Sequence, residues 1–63
     1  MIFKEVKTDT WINMGLIVAI DISETGKRLI LWDDSSKGDP LIFPFDELKD
    51  TPEHWRNWLR ERS

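Results

Sequence analysis

The chain has 63 residues, a net charge of −3 and no cysteine. A domain of this length buries only about 60% of the surface that its unfolded chain exposes, and no disulfide is available to stabilise it. The single histidine and the lack of thiolates argue against a structural zinc site. The acidic balance argues against a domain dedicated to nucleic acid. We therefore expect one small domain over residues 1–63, soluble and cytoplasmic.

The N-terminal part of the chain predicts short extended segments. Residues 2–7 are typical of a strand, and residues 8–10 have the composition of a turn. Trp11 begins a second extended segment, which we expect to bend near Gly15 because glycine accepts backbone conformations that other residues resist. The longest apolar run, residues 16–20, has the length of a strand and falls far short of the roughly 20 residues of a membrane span.

Residues 16–22 and 27–33 predict a hairpin. A four-residue turn with Gly26 in the left-handed conformation would join Ile22 to Lys27. This register would also set Asp21 opposite Arg28, a favourable cross-strand pair.

The predicted hairpin has two apolar faces. We expect the first to form the core: Leu16, Val18, Ile20, Ile22, Leu29 and Leu31. The opposite face carries four residues: Ile17, Ala19, Ile30 and Trp32. That second face is too apolar to be left entirely in water, so the helix, another strand or a partner should cover part of it.

The C-terminal third predicts a loop, a strand and a helix. Residues 33–40 are rich in Asp, Ser, Gly and Pro, which indicates a loop. Residues 41–45 predict a fourth strand, and Pro44 favours an edge position because proline lacks a backbone donor. A single helical turn is expected directly after this strand, at residues 46–48.

The last dozen residues predict a helix that begins at Thr51 and Pro52, a hydroxyl N-cap followed by proline at the first helical position. Its apolar stripe is Trp55, Trp58 and Leu59. Eleven residues are too few for a stable isolated helix. We therefore expect the tryptophan stripe to dock on the sheet.

Together these elements predict an α+β fold, mainly β. We expect a four-stranded, mostly antiparallel meander, flat or curled into a small open barrel, with one C-terminal helix packed on it. No repeat, linker or domain boundary interrupts the chain.

No set of residues in the sequence favours an enzyme or a cofactor. His54 lacks an identifiable nucleophile beside it. The loop carboxylates Asp33, Asp34 and Asp39 do not have the spacing of a calcium loop. Ser35 and Ser36 lack the glycines of a nucleophile elbow. We therefore expect a protein without enzymatic activity, cofactor or metal.

The second face of the hairpin is either closed by barrel curvature, which would make Trp32 a core residue, or exposed, which favours a binding function. Trp32, with Ile17 and Ile30, is the predicted contact surface for a protein partner or a second copy of the chain. The alternative is a nucleic-acid-binding regulator that uses Arg56 and Arg60 on one side of the helix. The acidic residues around that helix disfavour this alternative, so we predict a small adaptor or regulatory protein, with a homo-oligomer as one form it could take.

Overall fold

Apolar residues in short extended runs build the β-structure of this protein, and the tryptophan-rich end forms its helix. The computed structural model describes residues 2–34 and 38–62. The described elements, in chain order, are β1 (Phe3–Lys7), β2 (Thr10–Asn13), β3 (Ile17–Ser23), β4 (Arg28–Asp33), β5 (Leu41–Pro44) and α1 (Pro52–Arg62). Two short 3-10 turns, Met14–Leu16 and Phe45–Glu47, precede β3 and follow β5.

The strands form two antiparallel sheets. One contains β1 and β2, and the other has the order β3-β4-β5. The predicted class, mainly β with one C-terminal helix, is confirmed, and the described strands do not close into a barrel. The additional strand is β2, which the sequence predicted only as an extended segment. It pairs with β1 through a turn in which Asp9 adopts a left-handed φ of 57°.

The turn between β3 and β4 lies one residue later than predicted. The side-chain oxygen of Ser23 accepts a hydrogen bond from the Gly26 backbone N–H at 3.0 Å. Lys27, with φ 53°, takes the left-handed position that we expected for Gly26. The hairpin therefore closes between Ser23 and Arg28, because the serine hydroxyl fixes the turn locally.

This later turn changes which residues pair across the strands, but it leaves Ile20 and Ile22 on the predicted side of the sheet. Asp21 pairs with Ile30, so the predicted pair between Asp21 and Arg28 is wrong. The slip equals two residues, and side chains alternate with a period of two. As a result Ile20 and Ile22 still share the inner face with buried Leu29 and Leu31.

A β-bulge at the start of β3 corrects the rest of the predicted core. Ile17 pairs with Asp33 and Ala19 with Trp32, which leaves Val18 as an extra residue. An extra residue reverses the alternation beyond it. Val18 is consequently 65% exposed. Leu16 lies in the 3-10 turn before β3 and is 58% exposed, so the prediction that these two are core residues is wrong.

The core lies between the two sheets and the helix. Among residues 2–34 and 38–62, four are fully buried: Val6, Leu29, Leu31 and Trp55. Partly buried apolar side chains surround them: Ile12, Met14, Ile17, Ile20, Ile22, Phe43, Phe45, Leu48 and Trp58. The inner sheet faces and the helix stripe thus supply a single cluster.

The helix docks through its tryptophans, as predicted. The Thr51 hydroxyl accepts a hydrogen bond from the His54 backbone N–H at 3.2 Å and caps the first turn. The rings of Trp55 and Trp58 meet edge to face, with centroids 5.7 Å apart. Lys4 of β1 covers both rings: its Nζ lies 4.9 Å and 5.0 Å from their centroids.

Candidate protein-binding surface

The outer face of the three-stranded sheet carries an exposed apolar strip. Because Leu29 and Leu31 point into the core, Ile30 and Trp32 must point the other way along β4. Ile30 pairs with Asp21 on one side and Ile42 on the other. We call the set Ala19, Asp21, Ile30, Trp32 and Ile42 the Trp32 face.

The Trp32 face is open to solvent. Trp32 is 37% exposed and Ile42 is 48% exposed, whereas Ile30 between them is half-buried. The helix packs against the core on the inner side of the sheet. An exposed tryptophan among aliphatic side chains is the usual composition of a protein-binding centre.

The structure brings together two of the three predicted contact residues and separates the third from them. Ile30 and Trp32 lie on the Trp32 face, next to each other in the alternation of β4. Ile17 does not join them, because the bulge at Val18 turns its side chain toward the core. Ile42 takes its place, and its partner Ile30 lies directly across the strands. Sequence reasoning missed Ile42 because the pairing of β5 was not known.

A single carboxylate lies on this apolar face. Asp21 Oδ2 accepts a hydrogen bond from the Trp32 indole Nε1 at 3.1 Å. This bond fixes the ring against the strand and satisfies its N–H. An ionised carboxylate can accept further hydrogen bonds, and Asp21 is exposed. The Trp32 face therefore combines an apolar centre with a negative charge.

Both edges of this sheet resist pairing with another strand. The bulge at Val18 disrupts the ladder of β3, and Pro44 removes a backbone donor from β5. Natural proteins use bulges and prolines to block edge-to-edge association. A partner would thus meet the face of the sheet more easily than its edge.

A second group of exposed apolar residues lies on the two-stranded sheet. Ile2, Phe3 and Trp11 are each at least half exposed, and Trp11 at 57% is more exposed than Trp32. Trp11 pairs directly with Glu5 across the strands, and Phe3, two residues before Glu5 on the same face of β1, lies diagonally from Trp11. Sequence patterning left the role of Trp11 open, since only the β1–β2 register brings it beside Phe3.

Glu5 forms the shortest ion pair of the described residues. Its carboxylate lies 2.6 Å from Lys49 Nζ and also accepts the Asp9 backbone N–H at 2.9 Å. The hydrogen bond from Lys49, then the one from Asp9, lowers the pKa of Glu5 below its ordinary value of 4.5. The same contact raises the pKa of Lys49.

The arginines proposed for nucleic acid are not presented together as a basic surface. Arg56 forms an ion pair with Glu24 at 3.0 Å and ties the helix to the β3–β4 turn. Arg60 is exposed one turn later. Nearby, Arg62 stacks 4.0 Å from the Trp58 ring centroid. Since Arg56 is engaged within the chain, it is less available to a phosphate.

The residues considered for chemistry are dispersed. His54 Nδ1 lies 4.0 Å from Asp50, on the exposed flank of the helix. Within residues 2–34 and 38–62 we find no cavity and no cluster of three metal-ligating side chains. Ser35 and Ser36 lie outside the described residues.

No helix in the described part of the chain is both long and apolar enough to cross a bilayer. Comparison with protein-family models, curated proteins and solved structures finds no significant match to this chain. Its function must therefore be inferred from its own surface.

Proposed function

We propose that this chain is a small non-enzymatic adaptor or regulatory protein that binds a protein partner, or its own copy, through the Trp32 face. The observation that carries the proposal is the exposed Trp32–Ile30–Ile42 strip on the side of the sheet opposite the core. Exposed aromatic anchors with aliphatic neighbours are typical of binding centres. The lack of cysteine fits work in the cytoplasm, which is part of the proposal.

Site-specific photocrosslinking tests this function. A benzophenone amino acid at Ile42, on the Trp32 face, is compared with one at Glu61 on the exposed side of the helix. Irradiation of cells that make the protein should give protein adducts from position 42 and few from position 61. Equal adducts at both positions, or none at position 42, would contradict the proposal.

A substitution pair adds an independent test. Trp32→Ser should leave the circular dichroism spectrum native-like and abolish the adducts from position 42. Trp11→Ser removes a more exposed tryptophan from the other sheet and should leave those adducts intact. If Trp32→Ser unfolds the protein, Trp32 is a core residue and the proposed surface is wrong.

The nucleic-acid alternative predicts a different pattern. The benzophenone at position 61, beside Arg60, would then crosslink the protein to nucleic acid. Their yield would fall steeply with salt, because phosphate contacts release counterions. The ion pair between Arg56 and Glu24 makes us favour the protein-binding function.

A further inference from the structure

One further charge belongs to the surface around Trp32. Arg28 lies on the same side of β4 as Ile30 and Trp32, at the end next to the turn. It is exposed, and its guanidinium lies against the turn: a Cβ atom added to Gly26 would be 3.1 Å from its Nε. The outer side of the sheet therefore carries one cation and one anion around an apolar centre.

These two charges are not paired with each other. Arg28 pairs across the strands with Ser23, and Asp21 pairs with Ile30. No ion pair among the described residues joins Arg28 to Asp21, whose carboxylate accepts the indole N–H of Trp32 instead. Both side chains thus keep capacity for a charged partner outside the chain.

A surface of this kind is complementary to itself. In an interface with two-fold symmetry each contact occurs twice, so residue i of one copy meets residue j of the other and the reverse. A face with only a carboxylate would repel its copy. A face with Arg28 and Asp21 can form two reciprocal ion pairs around the apolar strip.

We infer, resting on the proposed function, that the occupant of the Trp32 face is a second copy of this chain. The two copies pack face to face about a two-fold axis, with Arg28 of each paired to Asp21 of the other. Trp32 and Ile30 form the apolar centre.

The blocked edges of the sheet support this arrangement, and the small area of its outer face limits the affinity of the dimer. The protein exposes 4636 Å², and a standard interface takes about 800 Å² from each partner. A sheet of three short strands supplies less than that, so we expect dissociation constants in the micromolar range or weaker. The bulge in β3 and the proline in β5 disfavour edge pairing and so favour a closed, face-to-face dimer over a growing fibre.

Charge reversal with rescue tests the inference. Sedimentation equilibrium over roughly 10 µM to 1 mM should show the 7.5 kDa chain converting to a species of twice that mass. Arg28→Asp should weaken association at least about tenfold, since it sets carboxylates against each other. Adding Asp21→Asn in the same chain removes this repulsion, while its amide oxygen can still accept the Trp32 indole N–H, and should recover association by at least about threefold.

A matched control separates the ion pair from the overall charge. Lys27→Asp makes the same change in net charge at the neighbouring position, in the turn outside the face, where aspartate tolerates the left-handed backbone. It should leave association close to wild type. Equal weakening by Lys27→Asp and Arg28→Asp, or failure of the double variant to recover, would refute the reciprocal pairing.

The outcomes also separate this inference from the proposed function. A chain that stays monomeric up to 1 mM overturns the inference. If position 42 then crosslinks to a different protein in cells, the proposed binding function still stands. If position 42 gives no adduct at all, both are wrong.

Discussion

Trp55 should be the side chain on which the stability of this protein depends most. It is fully buried and lies in the single core cluster between the two sheets and the helix. Replacing a buried tryptophan by alanine costs about 3–5 kcal/mol. A chain of 63 residues has a total stability of about 3–9 kcal/mol at the usual value per residue. Trp55→Ala is therefore expected to remove between about one third and all of the free energy of unfolding.

Trp55→Phe makes the prediction sharper. The Trp55 Nε1 has no hydrogen-bond partner among the described residues, and a buried unsatisfied donor costs about 1–3 kcal/mol. Phenylalanine removes that donor and also loses apolar area worth about 1 kcal/mol or more. Because the two effects oppose each other, the free energy of unfolding should stay within about 1.5 kcal/mol of wild type.

Urea denaturation followed by far-ultraviolet circular dichroism at 25 °C measures both variants. Trp11→Ala is the matched control, since Trp11 is largely exposed and its loss should change stability by no more than about 0.5 kcal/mol. If Trp55→Ala costs less than about 1 kcal/mol, the helix is not docked as described. If Trp55→Phe costs as much as Trp55→Ala, the indole N–H contributes to stability and the reasoning on its unsatisfied donor is wrong.

Three other predictions concern the bulge, the helix and one ion pair. Ile20→Ala should lower the free energy of unfolding by about 2–5 kcal/mol in urea denaturation, because Ile20 packs against the core. Val18→Ala should lower it by less than about 0.5 kcal/mol, because Val18 is the exposed extra residue of the bulge. Equal losses in the two variants would contradict the bulge. Deleting residues 51–63 should abolish native-like circular dichroism, and a folded, monomeric truncation would make the helix an appendage. Because the folded pKa of Glu5 is lowered, its pair with Lys49 stabilises the fold above pH 4.5 and loses this effect as the pH falls through the lower folded value. Glu5→Gln should remove that part of the acid limb of a stability–pH profile, and an unchanged limb would refute it.

The helix was the part of the fold most easily predicted from the sequence. Its start is marked by a hydroxyl cap and a proline, Thr51 and Pro52, and its docking stripe by tryptophans three residues apart. These signals are local, so they do not depend on which strand pairs with which. The structure agrees with them from the cap at Thr51 to the end of the helix at Arg62.

The core positions predicted in β3 were partly wrong because they depend on how β3 pairs with β4, which the sequence pattern does not show. Alternation along residues 16–22 is the same whether or not a bulge is present, because a bulge is defined by the opposite strand. Only the pairing with β4 shows Val18 to be an extra residue. The turn position was also predicted wrongly. Composition alone favoured Gly26 for the left-handed position, but the Ser23 hydroxyl accepts the Gly26 N–H and Lys27 adopts the left-handed conformation instead.

The candidate surface was partly predictable for the same physical reason. Ile30 and Trp32 follow from alternation within one strand, and their positions hold. Ile42 depends on the pairing between β4 and β5, and the association of Phe3 with Trp11 depends on the pairing between β1 and β2. The pairing between distant strands was therefore the information that local sequence patterns did not reveal.

The ties between β1 and the segment before the helix determine when this protein can finish folding. Lys4 bonds to Asp50 and Glu5 to Lys49, contacts that span 46 and 44 residues, and the Val6 carbonyl accepts the Lys49 N–H. Closing such long loops is entropically costly, and contacts of this range slow folding. A nascent chain can pair its first strand with β2, but it cannot tie that strand to the segment before the helix until residues 49 and 50 have been synthesised. Hydrogen exchange in β1 and in α1 should accordingly be governed by one shared opening event, so that the two ends of the chain lose their protection together.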